Sequence, residues 1–192
     1  MMSWKKIFIV LVLIACLFSG AFFFYKRRTA CNIRDVEFQR DFEKIDTLFH
    51  KGDNWYWLIC NANRDSYSVD FLLRYKTSSQ SQKLYDLIEK VMEIDGKIAG
   101  FTAYYPKSKY TWQFLFLLVD QDFRRQGVAK KLLTYAVKDM LAKGAVKVDL
   151  VTRIENEKAQ TLYKNFGFKQ VGVTDEHVLM TWHSGWGIGN LE

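Results

Sequence analysis

Asp122-Phe123-Arg124-Arg125-Gln126-Gly127-Val128-Ala129-Lys130-Lys131-Leu132-Leu133 is the stretch from which the rest of this chain is read. It follows an apolar run over 114–119 and opens a helical stripe of Val128, Leu132, Leu133, Ala136, Val137, Met140 and Leu141, which Lys143-Gly144 ends. Strand, basic glycine turn and helix start in succession form a site for phosphate. The first N–H groups of a helix have no intrahelical acceptor, and the helix dipole favours negative charge beside them. A side chain at Gly127 would hold an anion away from those groups.

Working outward, the segments 89–94 and 98–105 flank Asp95-Gly96, two residues that tolerate the positive φ of a tight hairpin. Pro106 closes that hairpin into a loop. The run 110–119 is the longest β-like segment, and its near-continuous hydrophobicity predicts a central strand covered on both faces. Upstream, 33–37 reads as a short strand and 38–50 as an amphipathic helix carrying Phe38, Phe42, Ile45, Leu48 and Phe49. Segment 55–85 is rich in aromatic residues without a clear period, and a helix is expected near 69–76. Downstream come a strand over 147–152, a helix over 156–166, and strands over 168–173 and 177–182. This order is α+β, with strand–helix–strand over 110–152 predicting a parallel pair.

The chain has 192 residues, 49% of them hydrophobic, and a formal charge of +7. That charge is unevenly placed. Lys5, Lys6, Lys26, Arg27 and Arg28 lie in 1–30, which has no acidic residue; beyond it, 23 basic residues face 21 acidic ones. The excess belongs to the N-terminal segment, which points to membrane topology and away from nucleic acid. Residues 7–25 are apolar or small without interruption. As a helix they would span about 28 Å at ~1.5 Å per residue, close to the ~30 Å hydrocarbon core. Trp4 and Tyr25 stand at the two ends, where aromatic rings favour the interface.

A single-pass anchor over 1–30 is therefore expected, with a domain over 31–183 and a loose glycine-rich tail over 184–192. Leu13-Ile14-Ala15-Cys16 also fits a lipidation signal, but the residues after Cys16 stay apolar where a lipoprotein turns polar. Lys26, Arg27, Arg28 and Arg34 outnumber Lys5 and Lys6, which favours a cytoplasmic domain. Cys31 and Cys60 read as free thiols.

A second pattern follows about thirty residues beyond the glycine turn: Asn156-x-x-Ala159-x-x-Leu162-Tyr163-x-x-x-Gly167-Phe168. Asn156 suits a helix N-cap and Gly167 a C-terminal glycine. Together with Arg124-x-x-Gly127-x-Ala129, this pair resembles the two signatures of the GNAT superfamily of N-acetyltransferases, and the resemblance covers roughly 33–183. It implies a mixed central sheet of about six or seven strands flanked by helices. It also implies acetyl transfer from acetyl-CoA to an amine acceptor by direct attack in a ternary complex, with no metal.

The same resemblance distributes the roles. The diphosphate would rest on the N–H groups from Arg125 through Gln126, Gly127, Val128 and Ala129 to Lys130, with Arg124 and Arg125 adding charge. Leu117 and Val119 would pair by backbone with the pantetheine arm, and the N–H near Leu118 would face the thioester carbonyl. Asn156 joins the cofactor-binding set. Tyr163 matches the tyrosine that protonates the departing thiolate, a transfer between groups of similar pKa. The base is left open. Gln113 stands where some relatives carry a carboxylate; Asp120 and Asp122 read as turn formers; Glu89, Glu93 and His177 are candidates acting through water; or no dedicated base acts. The alternative to an enzyme is a non-catalytic acyl-CoA-binding module tethered to a membrane partner.

Overall fold

The computed structural model of the chain describes residues 31–59, 67–76 and 87–186. The anchor expected over 7–25 lies outside them, and among the described residues no helix is long and apolar enough to cross a membrane. Strand β1 (Cys31–Asp35) leads into helices α1 (Phe38–His50), α2 (Asn54–Leu58) and α3 (Val69–Tyr75). Strands β2 (Ile88–Ile94), β3 (Lys97–Pro106) and β4 (Thr111–Val119) form a meander, followed by a 3-10 turn (Gln121–Phe123) and α4 (Val128–Ala142). Strand β5 (Lys147–Arg153), helix α5 (Glu157–Phe166), β6 (Lys169–Val173) and β7 (His177–His183) complete the domain. The described strands make one mixed seven-stranded sheet in the order β1-β2-β3-β4-β5-β7-β6, within the expected α+β class. β4 and β5 are its parallel pair, as the strand–helix–strand pattern predicts.

Asp95 and Gly96 both take positive φ (49° and 78°), and the β2–β3 hairpin closes between them. β1 begins earlier than expected, because Cys31 already pairs with Ile94. The start of the tail is also ordered. Ser184–Trp186 forms a 3-10 turn, with the Trp186 ring against His183 and under the Lys169 ammonium.

The central strand is covered on both faces, as its hydrophobicity predicts, but burial alternates along it. Trp112, Phe114, Phe116 and Leu118 are buried, whereas Gln113, Leu115, Leu117 and Val119 are only half-buried. Ala103 pairs with Phe116 and Tyr104 with Phe114, so Leu115 is an extra residue, a β-bulge. A bulge reverses the side-chain alternation. Phe114 therefore packs with Leu133, Ala136 and Tyr163 of α4 and α5, while Phe116 packs with Phe49 and Leu72 of α1 and α3. One strand thus serves the cores on both faces of the sheet.

At the other margin, Asp41 of α1 is fully buried and accepts from Arg34 at 2.6 and 2.9 Å and from the Glu37 N–H at 2.9 Å. Burial alone would raise its pKa, but these donors outweigh it and hold the carboxyl below its ordinary range. Arg34 and Arg40 also bind Glu93, which fastens α1 to the β1–β2 edge.

Candidate active site

β4 and β5 are neighbours over three positions only: Thr111 with Lys147, Trp112 with Val148 and Gln113 with Asp149. Beyond Gln113 they part. β4 stays with β3 as far as Val119–Gly100, and β5 stays with β7 as far as Arg153–His177. Among the described residues the β4 edge over 114–119 is thereby left without a strand partner on the β5 side. A cleft of about 1180 Å³ fills the splay. An extended ligand can pair with such an edge through main-chain hydrogen bonds.

The glycine turn stands at the C-terminal end of that edge. Arg125 (φ 65°) and Gly127 (φ 78°) are both left-handed. A Cβ added at Gly127 would meet nothing within 4 Å, so the backbone angle, not crowding by the protein, calls for glycine here. The first bond of α4 runs from the Lys131 N–H to the Gly127 carbonyl at 3.0 Å. The N–H groups of Val128 and Ala129 precede that ladder. Gln126 folds back to donate to the Asp122 carbonyl at 3.0 Å, and Asp120 accepts from the Asp122 N–H and from Lys51.

Arg124 is tied to the protein. Its Nε donates to the Val119 carbonyl at 3.3 Å and its Nη2 to Asn54 Oδ1 at 2.9 Å. Buried Asn54 in turn donates to the Leu48 carbonyl at 2.8 Å. The guanidinium therefore braces the turn against the α1–α2 junction, at the cleft wall where the sequence placed it for phosphate.

The residues proposed for the cofactor and, in Tyr163, for catalysis fall into two groups, those that line the cleft and those that do not. Leu117, Leu118 and Val119 line one wall, Arg124, Arg125 and Ala129 the mouth, and Asn156 with Tyr163 the facing wall. Gln126, Gly127 and Lys130 sit in the same turn and first helical turn but off that wall. The Val128 side chain is buried in the core beside Met92 and Leu132, so its backbone alone is available. Asn156 caps α5, its Oδ1 accepting from the Ala159 N–H at 3.2 Å.

Tyr163 is buried where the two strands diverge. Its ring lies edge-on to Phe114, 6.3 Å between centroids, and to Phe168 at 5.8 Å. Gln113, the last β4 residue paired with β5, also lines the cleft there.

The candidates for a base separate clearly. Glu93 is bound to Arg34 and Arg40 on the β1–β2 margin, away from the cleft, and the Arg34 hydrogen bond holds its carboxyl low. Asp120 is kept below its ordinary range by Lys51 and the Asp122 N–H, against an upward pull from burial. Asp122 is exposed. His177 lines the cleft, with a buried Nε2 that has no hydrogen-bond partner among the described residues. Glu89 on β2 is fully buried at its side chain and ion-paired through Oε2 to Lys76. Burial pushes its carboxyl up to about 7, against the downward pull of Lys76.

Asn54 in the cleft wall and Arg153 beside it had no signal in the sequence, whereas Tyr67 belongs to the aromatic-rich segment 55–85. Asn54 follows Gly-Asp and reads as a turn former. Tyr67, which lines the cleft, sits among aromatics without a period. Arg153 ends β5 almost fully buried, donating to the Tyr56 and Ile59 carbonyls at 2.7 and 3.1 Å under the Tyr56 ring. It closes the C-terminal end of α2, whose last carbonyls lack helical donors.

The sequence profile of the acetyltransferase (GNAT) family matches residues 49–168. The chain belongs to that family and is a GNAT acetyltransferase. Among its relatives, an acetyltransferase of Pectobacterium atrosepticum is 26% identical over 133 residues, 69% of this chain and 84% of that protein. The ribosomal protein bS18-alanine N-acetyltransferase of Haemophilus ducreyi is 39% identical over 64 residues, 33% of this chain and 44% of the relative's own length. In fold, the chain is similar to the PaiA N-acetyltransferase of Thermoplasma acidophilum, solved in complex with coenzyme A. That likeness has a TM-score of 0.66 and 21% identity, over 80% of this chain and 99% of the other.

Proposed function

We propose that this protein is a membrane-anchored N-acetyltransferase that passes an acetyl group from acetyl-CoA to an amine by direct attack in a ternary complex. The observation that carries the reading is the divergence of β4 from β5 after Gln113, with the glycine turn at its mouth and Tyr163 at its apex. The pantetheine arm pairs with the free β4 edge at Leu117 and Val119. The diphosphate takes the backbone N–H groups at the start of α4, with Arg125 beside them. The thioester carbonyl then lies against the β4 backbone near Leu118, where an N–H stabilises the developing oxyanion. Tyr163 donates its phenolic proton to the departing thiolate.

The membrane part of the proposal rests on the uninterrupted apolar run 7–25 with its basic flanks. The excess of positive charge on the C-terminal flank favours the cytoplasmic side for the domain, where acetyl-CoA is available. Gln113 favours a second reading, an acyl-CoA-binding module without turnover, because a glutamine cannot take up the proton of an ammonium.

One experiment separates the two. The full chain, purified in detergent, is given acetyl-CoA and a pool of amines, and free thiol and acetylated product are measured. An enzyme releases thiol in step with acetylated amine. Tight acetyl-CoA binding without either product assigns the binding module.

A further inference from the structure

Two buried polar atoms on the α1–α3 face of the sheet have no hydrogen-bond partner among the described residues: the Tyr67 hydroxyl and Glu89 Oε1. They belong to one cross-strand row. Glu89 on β2 is paired in register with Ala103 on β3, and Ala103 with Phe116 on β4. The Tyr67 ring lies edge-on to Phe116, 6.0 Å between centroids, and to Trp55 at 5.9 Å. Residues directly opposite on paired strands share a face, and Ala103, between Glu89 and Phe116 in that row, carries only a methyl group. Burial raises the Tyr67 phenol, and the charge of Glu89 adds to that. The Leu115 bulge turns Phe114, and Tyr163 upon it, to the opposite face. The free β4 edge is thus flanked by Tyr163 on one side and Tyr67 on the other.

We infer that Tyr67 and Glu89 form the proton-accepting arm of the reaction, Tyr67 meeting the acceptor amine in the cleft and Glu89 taking the proton through it. This rests on the acetyltransferase reading above. The ammonium of the acceptor gives one proton by this route to the Glu89 carboxylate. The neutral amine nitrogen bonds to the thioester carbon, and the carbon–sulfur bond breaks. The thiolate takes the phenolic proton of Tyr163, the second proton of the new amide nitrogen restores that phenol, and Glu89 returns its own to solvent. Glu89 is therefore a positioning residue acting through Tyr67. The one charged group facing it among the described residues is Lys76, paired to Oε2, and the Tyr67 phenol beside it is neutral, its pKa raised by burial and by Glu89. A carboxyl raised to about 7 is matched to such an exchange near neutral pH.

The test measures kcat/KM for the amine against pH at saturating acetyl-CoA. It uses the full chain with a pool of a short peptide, spermidine and glucosamine, comparing wild type, Glu89→Gln, Glu89→Asp and Tyr67→Phe. The expected result is an acid limb in the wild type that Glu89→Gln abolishes, with a loss of about 10²-fold. Tyr67→Phe gives a similar loss, the double variant is no worse than either single one, and Glu89→Asp restores part of the limb. The KM for acetyl-CoA is unchanged throughout. An active enzyme whose Glu89→Gln form keeps the wild-type profile overturns the inference, as do losses that multiply in the double variant. Should Glu89→Gln not fold, an unaltered profile in Tyr67→Phe overturns it equally. A wild type that releases no thiol with any amine overturns the enzyme reading itself, and this inference with it.

Discussion

Arg124 of the glycine turn donates to the side-chain oxygen of Asn54 at 2.9 Å, across 70 residues of sequence. Asn54 is buried and passes the restraint on to the Leu48 carbonyl. Asn54→Ala is expected to leave that carbonyl unpaired and to free Arg124, at a cost of about 1–3 kcal/mol. Urea denaturation would measure the loss, and calorimetry should find acetyl-CoA bound more weakly. A less stable protein with unchanged acetyl-CoA affinity would show that the brace does not govern the turn.

Tyr163→Phe removes one hydroxyl and keeps the ring that packs on Phe114 and Phe168. Turnover should fall by about 10²–10⁴-fold with little change in acetyl-CoA affinity, because general-acid assistance acts on the departing thiolate alone. Equal kcat in variant and wild type would remove the phenol from the chemistry.

Gly127 and Gly100 separate two uses of glycine. At Gly127 a methyl group has open space, so Gly127→Ala costs only the left-handed backbone, about 1 kcal/mol, while placing a Cβ where a diphosphate approaches. The expected outcome is a folded protein with at least a tenfold rise in the dissociation constant for acetyl-CoA.

At Gly100 the added Cβ would lie 2.7 Å from the Leu118 carbonyl oxygen and 2.8 Å from Leu132 Cδ1. Gly100→Ala must push β4 or α4 aside, at a cost of about 1–3 kcal/mol by overpacking. Its melting temperature should drop by more than that of Gly127→Ala, and the reverse order would contradict the close approach seen here.

Glu89 gives a pH signature in stability. Its folded pKa of about 7 lies above the ordinary carboxyl value, so the folded state binds the proton more tightly than the unfolded chain. The contribution is fully present below the unfolded pKa of ~4.3 and is lost as pH rises through about 7. Glu89→Gln has no such loss. Relative to wild type it should gain on the order of 1–3 kcal/mol between pH 4.5 and 8, read from urea midpoints at fixed ionic strength. A pH-independent difference would mean that the carboxyl is not raised.

Local chemistry makes much of this protein legible from its residues alone. The Asp95-Gly96 hairpin, the apolar stripe of α4, the Asn156 cap and the left-handed turn at Gly127 each follow from neighbours within a few positions, and each is present. The two motifs are local as well, which is why they already pointed to the family that residues 49–168 match. What the sequence could not contain is the divergence of β4 from β5, because strand separation depends on partners dozens of residues away. The same holds for the Leu115 bulge, which sends Phe114 and Phe116 to opposite faces although alternation would place them together. Burial decided the rest. Asn54, Tyr67, Glu89 and Arg153 are ordinary polar residues in sequence, and their behaviour arises only where packing removes water and leaves specific partners in reach.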